Sequence, residues 1–241
     1  MLEIKNLTKI YKGGKRAVDN LSLTVEKGDI FAFIGHNGAG KSTTIKACVG
    51  IIDFDEGEIF IDGHSIKEDP IYCKSQISYI PDNPDIYDFM TGIQYLNFIG
   101  DVFKVGQSER LAFIDKYATL FEIKNNLGDP VSSYSHGMKQ KLVLIGALIH
   151  KPKLMILDEP FVGLDPKASF TVKNIMREMC EQGMAIFFST HVLEVAEKLC
   201  NKVAIIKDGK LVISGNTEEI VGNDSLEEVF LDSANGNKEG E

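Results

Sequence analysis

The sequence has no C-x-x-C pair, no stripe of clustered lysine and arginine, and no apolar run approaching the roughly 20 residues a membrane-spanning helix needs. Its longest apolar stretches, such as Lys141 to Ile149 and Met184 to Phe188, are broken well before that length, so any membrane role must come through a partner. Cys48, Cys73, Cys180 and Cys200 are far apart and no secretory leader precedes them, which predicts reduced thiols in the cytoplasm. A net charge of -9 without a basic stripe argues against coating a nucleic-acid duplex, and no nucleic-acid partner is expected. There is also no internal repeat. What is present, 241 residues with 44% hydrophobic and 25% charged, is enough for one compact unit with a substantial core.

The hydrophobic pattern separates two kinds of strand. Leu2 to Leu7 and Leu21 to Val25 alternate apolar and polar residues, as half-buried antiparallel strands do. Ile30 to Ile34, Leu154 to Leu157, Ala185 to Phe188 and Val203 to Ile206 are continuously apolar, which predicts strands covered on both faces of a parallel α/β sheet. Lys41 to Gly50, Lys167 to Cys180 and Leu193 to Leu199 carry helical spacing and supply crossover helices. From about Pro84 to Leu148 there is no clear buried strand. Helical stretches near Ile93 to Phe103, near Glu109 to Phe121 and after His136 predict a helical insertion over residues 84–148. A single domain over 1–232 is expected, with 233–241 too polar to offset the entropy of ordering.

Gly35-His36-Asn37-Gly38-Ala39-Gly40-Lys41-Ser42 fits the phosphate-loop pattern G-x-x-x-x-G-K-[ST], follows a buried strand and leads into a helix. Glycine backbone there can wrap a β-phosphate, Lys41 offers charge to the β- and γ-phosphates, and Ser42 offers a hydroxyl to Mg2+. The helix N-terminus, running on through Thr43, adds partial positive charge. Leu154 to Glu159 is a buried strand ending in two carboxylates, and parallel α/β sheets place ligands at such ends. Asp158 is then the candidate for the Mg2+ shell and Glu159 for orienting the attacking water. An N-cap or solvated turn before Pro160 is the plainer reading of the same pair.

With these motifs in order, the chain resembles the nucleotide-binding subunit of ABC transporters over nearly its whole length. The resemblance implies a P-loop NTPase core with a mostly parallel sheet, an N-terminal antiparallel β subdomain and an inserted helical subdomain. Tyr134 to Gln140 falls where that family has its signature sequence, with Ser135 and Gly137 retained. It implies that these two bind the γ-phosphate of ATP held by the opposite subunit, although Ser135 alone reads equally as a helix N-cap. Gly163-Leu164-Asp165 is similar to the family's D-loop, and Asp165 before Pro166 is also a ready helix N-cap. His191, after the strand ending in Thr190, matches the family's switch histidine on the γ-phosphate. Tyr11 falls where the family stacks an aromatic ring on adenine, or is a strand-end aromatic.

Two departures stand out. Asp82, in Ile80-Pro81-Asp82-Asn83-Pro84, replaces the glutamine usual in the family's Q-loop and puts charge near Mg2+ and the γ-phosphate. It either ligates Mg2+ or its water, or is held off by the phosphates until closure, so it is expected to affect coupling and metal dependence more than nucleotide affinity. His136 and Met138 replace a glycine and a glutamine of the signature, a form that resembles ATPase subunits of bacterial exporters of antibiotics and other amphiphiles.

The resulting expectation is an ATPase that pairs with a second copy or a related subunit and drives transmembrane permease subunits from the cytoplasmic face. ATP and Mg2+ are the implied ligands. Two rival readings are a non-transport ATPase acting on ribosomes or nucleic acid, disfavoured by a single short domain without long coiled coils, and a nucleotide-dependent scaffold without turnover.

Overall fold

A computed structural model describes residues 1–83 and 86–235. In chain order it contains β1 (Leu2–Ile10), β2 (Arg16–Val25), β3 (Ile30–Ile34), α1 (Lys41–Cys48), β4 (Glu56–Ile61), β5 (His64–Ser65), α2 (Pro70–Gln76) and β6 (Ile77–Ile80). The helices α3 (Gly92–Val102), α4 (Gln107–Leu120) and α5 (His136–Leu148) follow. The chain then returns to β7 (Leu154–Asp158), α6 (Pro166–Glu181), β8 (Ala185–Thr190), α7 (Leu193–Leu199), β9 (Lys202–Lys207), β10 (Lys210–Asn216), α8 (Thr217–Val221) and α9 (Leu226–Asn235).

The strands form two sheets. One is antiparallel, in the order β2-β1-β4-β5; the other has the order β10-β9-β3-β8-β7-β6, parallel except for the β10–β9 edge pair. The mostly parallel core and the N-terminal antiparallel sheet are therefore as expected. Within β3 every residue is buried, but the period of two sends them to opposite faces. Ile30, Ala32 and Ile34 join a cluster with residues of α5, α6 and the helical insertion. Phe31 and Phe33 pack with Phe187 of β8, at centroid distances of 5.8 and 5.4 Å, against α1 and the antiparallel sheet. This two-sided burial is the physical content of the continuous apolar runs.

The helical insertion is capped where its sequence allows. Thr91 and Gln94 close a reciprocal capping box on α3, and Ser135 Oγ accepts from Met138 N at 3.3 Å to cap α5. Pro84, where the insertion is expected to begin, lies outside the described residues. At the C-terminus the polar tail is expected to begin at residue 233. Helix α9 continues through Asn235, with Ser233 Oγ donating to the Val229 carbonyl at 2.5 Å, because Leu226 and Val229 give it a buried face. Of the expected polar tail, residues 236–241 lie outside the described residues. All four cysteines are buried and free; burial raises the thiol pKa of each, that of Cys180 to about 12.

One polar contact joins the two sheets at the edge remote from the phosphate loop. Asp62, after β4, accepts hydrogen bonds from Lys153 Nζ at 2.6 Å and from Tyr72 OH at 3.0 Å. The Lys153 ammonium holds the Asp62 carboxyl below its usual range, with Tyr72 adding to the effect against partial desolvation. Because the folded pKa lies below the unfolded one, the contribution is complete above roughly pH 4 and is lost as pH falls through the folded value. Asp62→Asn is expected to lower the urea midpoint at pH 7 by the equivalent of about 0.5–1 kcal/mol. The wild-type advantage should shrink as the same titration is repeated at progressively lower pH.

Candidate functional site

The C-terminal ends of β3, β7 and β8 meet at one rim of the parallel sheet, where such folds bind ligands. A cleft of about 310 Å3 opens there, lined by Tyr11, His36, Asn37, Gly38, Gly40, Lys41, Ser42, Thr43, Asp82, Asp158 and Glu159, with Lys15 and Ala17 at its mouth. The phosphate loop runs from the end of β3 into α1. Gly40 is the N-cap, at φ 114°. A side chain at Gly40 would run into the Ala17 carbonyl of β2, and one at Gly35 would lie 2.6 Å from the Ile206 carbonyl of β9. These two glycines are thus required by backbones pressed against the loop, a reason additional to phosphate contact.

Lys41 is buried. Its Nζ donates to the Gly35 carbonyl at 2.6 Å and the His36 carbonyl at 3.4 Å, and lies 3.8 Å from Glu159 Oε1. Burial lowers its pKa from the ordinary lysine value, while Glu159 and Asp158 pull in the other direction. Ser189 of β8 sits opposite Asp158 of β7, donates its hydroxyl to Asp158 Oδ1 at 2.5 Å and accepts from the Glu159 N–H at 3.1 Å. Glu159 itself is held at φ 51°, and its other oxygen is 3.0 Å from His191 Nδ1. One carboxylate therefore touches the phosphate-loop lysine on one side and the histidine beyond β8 on the other.

A family profile described as ABC transporter matches residues 18–162. The chain belongs to the ABC transporter family. It is 37% identical over 220 residues to the ABC transporter ATP-binding protein YhcH of Bacillus subtilis, covering 91% of this chain and 71% of YhcH. It is 35% identical over 215 residues to the SkfA peptide export ATP-binding protein SkfE of the same species, covering 88% of this chain and 87% of SkfE. A solved ATP-binding subunit of an ABC transporter superposes with a TM-score of 0.93 at 31% identity, over 97% of this chain and 99% of that one. The fold is accordingly that of the P-loop ABC ATPase domain, its nucleotide is ATP, and its reaction is ATP hydrolysis of the ABC transporter type.

In this ABC subunit most expected site residues converge on the cleft, but several do not line it. Gly35 and Ala39, though part of the loop, do not line the cleft; the Ala39 N–H bonds the His36 carbonyl at 3.1 Å and its carbonyl accepts from Gly209 N at 2.9 Å. That leaves Ala39 N–H committed within the loop. His191 is reached through Glu159 and is more than half exposed, at 57%. Ser135 caps α5 and Gly137 lies in its first turn beside the Gly163 carbonyl, and neither lines its own chain's cleft. Asp165 caps α6 by accepting from Ala168 N at 2.8 Å, which lowers its pKa. Tyr11 lies at the cleft edge, 42% exposed, with its hydroxyl 3.5 Å from Thr43 Oγ1.

Sequence reasoning missed Lys15, Ala17, His36 and Ser189. His36 lay within the motif, whereas the others become site residues only through the β1–β2 turn and the β7–β8 register. The close approach at Gly40 gives a direct test. Gly40→Ala is expected to weaken binding of a fluorescent ATP analogue at least about tenfold. Gly38→Ala, where an added Cβ meets open space, should lose less.

Proposed function

We propose that this chain is the ATP-hydrolysing half of a membrane exporter, and that it works as a head-to-tail pair with a second copy or a related chain. The observation that carries the reading is Glu159, held between Lys41 and His191 at the head of the phosphate-loop cleft. Lys41 and the loop backbone hold the β- and γ-phosphates of ATP. Glu159 orients a water for in-line attack on the γ-phosphorus while the bond to the β–γ bridging oxygen breaks, and His191 fixes the Glu159 carboxylate and reaches the γ-phosphate.

Among the described residues no cluster of three or more His, Cys, Asp or Glu could hold a metal unaided. Magnesium at nucleotide sites takes one or two protein groups, with phosphates and waters completing its octahedron. Ser42 and Asp158, lining one cleft with Asp158 oriented by Ser189, fit that pattern. Asp82 on the same cleft is a further oxygen donor. The ion would supply positive charge against the phosphate oxygens.

Ser135 and Gly137, at the start of α5 and outside their own cleft, are offered to the γ-phosphate of the opposite subunit, where a helix N-terminus favours an anion. ATP then joins two chains, and loss of the γ-phosphate releases them. No helix among the described residues is long and apolar enough to cross a membrane; the chain is read as driving permease partners. An exposed aromatic patch supports their docking near the segment after β6: the Tyr87 ring lies tilted against Phe89 at 5.6 Å and meets Phe98 edge-on at 5.8 Å. The likeness to a peptide-export subunit favours export, with the chain on the cytoplasmic face. Glu159→Gln is expected to retain ATP binding, to lose about 100-fold or more in phosphate release, and to run as a dimer with ATP in size-exclusion chromatography. Rapid hydrolysis by that variant would remove Glu159 from its role.

A further inference from the structure

Both loops that leave the nucleotide cleft are fastened to the first turns of α5 within the same chain. On one side, Lys139 Nζ pairs with Asp88 Oδ1 at 2.6 Å, and just before the helix Val131 N bonds the Met90 carbonyl at 2.8 Å. These contacts hold the segment that follows Asp82. On the other side, three contacts hold the loop between Glu159 and α6. Gln140 Nε2 donates to the Val162 carbonyl. The His136 ring covers Gly163 so closely that a side chain there would strike it. Lys141 Nζ lies 3.7 Å from Asp165 Oδ2.

Gln140 is buried, and its Oε1 has no partner among the described residues. A buried amide with half its capacity unused is costly unless its other half matters. His136 occupies the position where the sequence departs from a glycine signature, and its ring is the group seated on Gly163.

The geometry points to a clamp in cis. We propose that His136 and Gln140 are positioning residues that fix the loop after β7, and so keep Glu159 at the φ of 51° from which it reaches both Lys41 and His191. A non-glycine residue is disfavoured in that backbone region, so the loop needs outside restraint. The same helix turns carry the contacts to the segment after β6, so a displacement of the helical insertion reaches Glu159 through α5. This deepens the ATPase reading of the site and rests on it.

The test uses full-length wild type, His136→Ala, Gly163→Ala, the double variant of those two, and Gln140→Leu. Steady-state phosphate release, binding of a fluorescent ATP analogue and amide hydrogen exchange over residues 160–165 are read on each. The clamp predicts kcat lowered about three- to tenfold, the scale of one lost hydrogen bond. Analogue affinity should stay within about twofold of wild type, and exchange of the loop should quicken. The double variant should be no worse than Gly163→Ala alone, because removing the His136 ring relieves the clash and leaves only the strain of a side chain at the Gly163 φ of 79°. Unchanged exchange in both His136→Ala and Gln140→Leu overturns the clamp, as does a loss of turnover that tracks a loss of nucleotide binding. Should Gln140→Leu fail to fold, the exposed His136→Ala and Gly163→Ala decide alone. Absence of phosphate release from wild type would overturn the ATPase reading instead, leaving the exchange measurement to judge the clamp.

Discussion

The pairing of Asp158 with Ser189 across two parallel strands is the constraint on which the site depends. Because β7 and β8 are in this register, the Ser189 hydroxyl is shared between the Asp158 carboxylate and the Glu159 N–H. The strand is thereby ended with one carboxylate held by Ser189 on the cleft that Ser42 also lines, and the next between Lys41 and His191. A slip of one residue would invert every side chain of β7 and send Asp158 to the wrong face. That slip is prevented by burial on both faces, since Leu154, Ile156 and Leu157 have no exposed surface to accept a polar neighbour. Packing of the core and chemistry at the rim are thus one specification.

Much of this was legible in the sequence, for identifiable reasons. Strands buried on both faces must be continuously apolar, so β3, β7, β8 and β9 were readable as runs. The phosphate loop is contiguous, so its pattern was readable as a string. The short β6 escaped because Ser78 and Tyr79 interrupt its apolar run, and the edge strand β10 because none of its residues is buried. What the sequence could not convey is contact between distant segments. Gly35 and Gly40 look like phosphate-wrapping glycines, yet each is also forced by a carbonyl, of Ile206 and Ala17, far away in the chain. Ser189 was visible only as the end of an apolar run, since its role comes from register. The contact of His136 with Gly163 joins two motifs that read separately as strings.

The arrangement of charge follows the same logic. The chain is acidic overall, but the cleft that must take a polyanion presents Lys41 in its wall and Lys15 at its mouth. The carboxylates on the same cleft, Asp82, Asp158 and Glu159, would repel a nucleotide unless balanced by a cation, which is why the donor set argues for magnesium as well as ATP. Ser135 and Gly137, the helix start proposed to meet the γ-phosphate of a second chain, do not line that cleft. On the proposed reading, the phosphate loop and that helix start would be the two complementary halves of a head-to-tail interface.

The central claim is therefore that each chain holds half of a site. It is tested most directly by measuring Mg-ATP turnover per chain across a dilution series, with the oligomeric state followed by sedimentation at the same concentrations. Turnover per chain should fall on dilution in step with loss of the dimer. Turnover that stays constant while the protein sediments as a monomer would contradict the account.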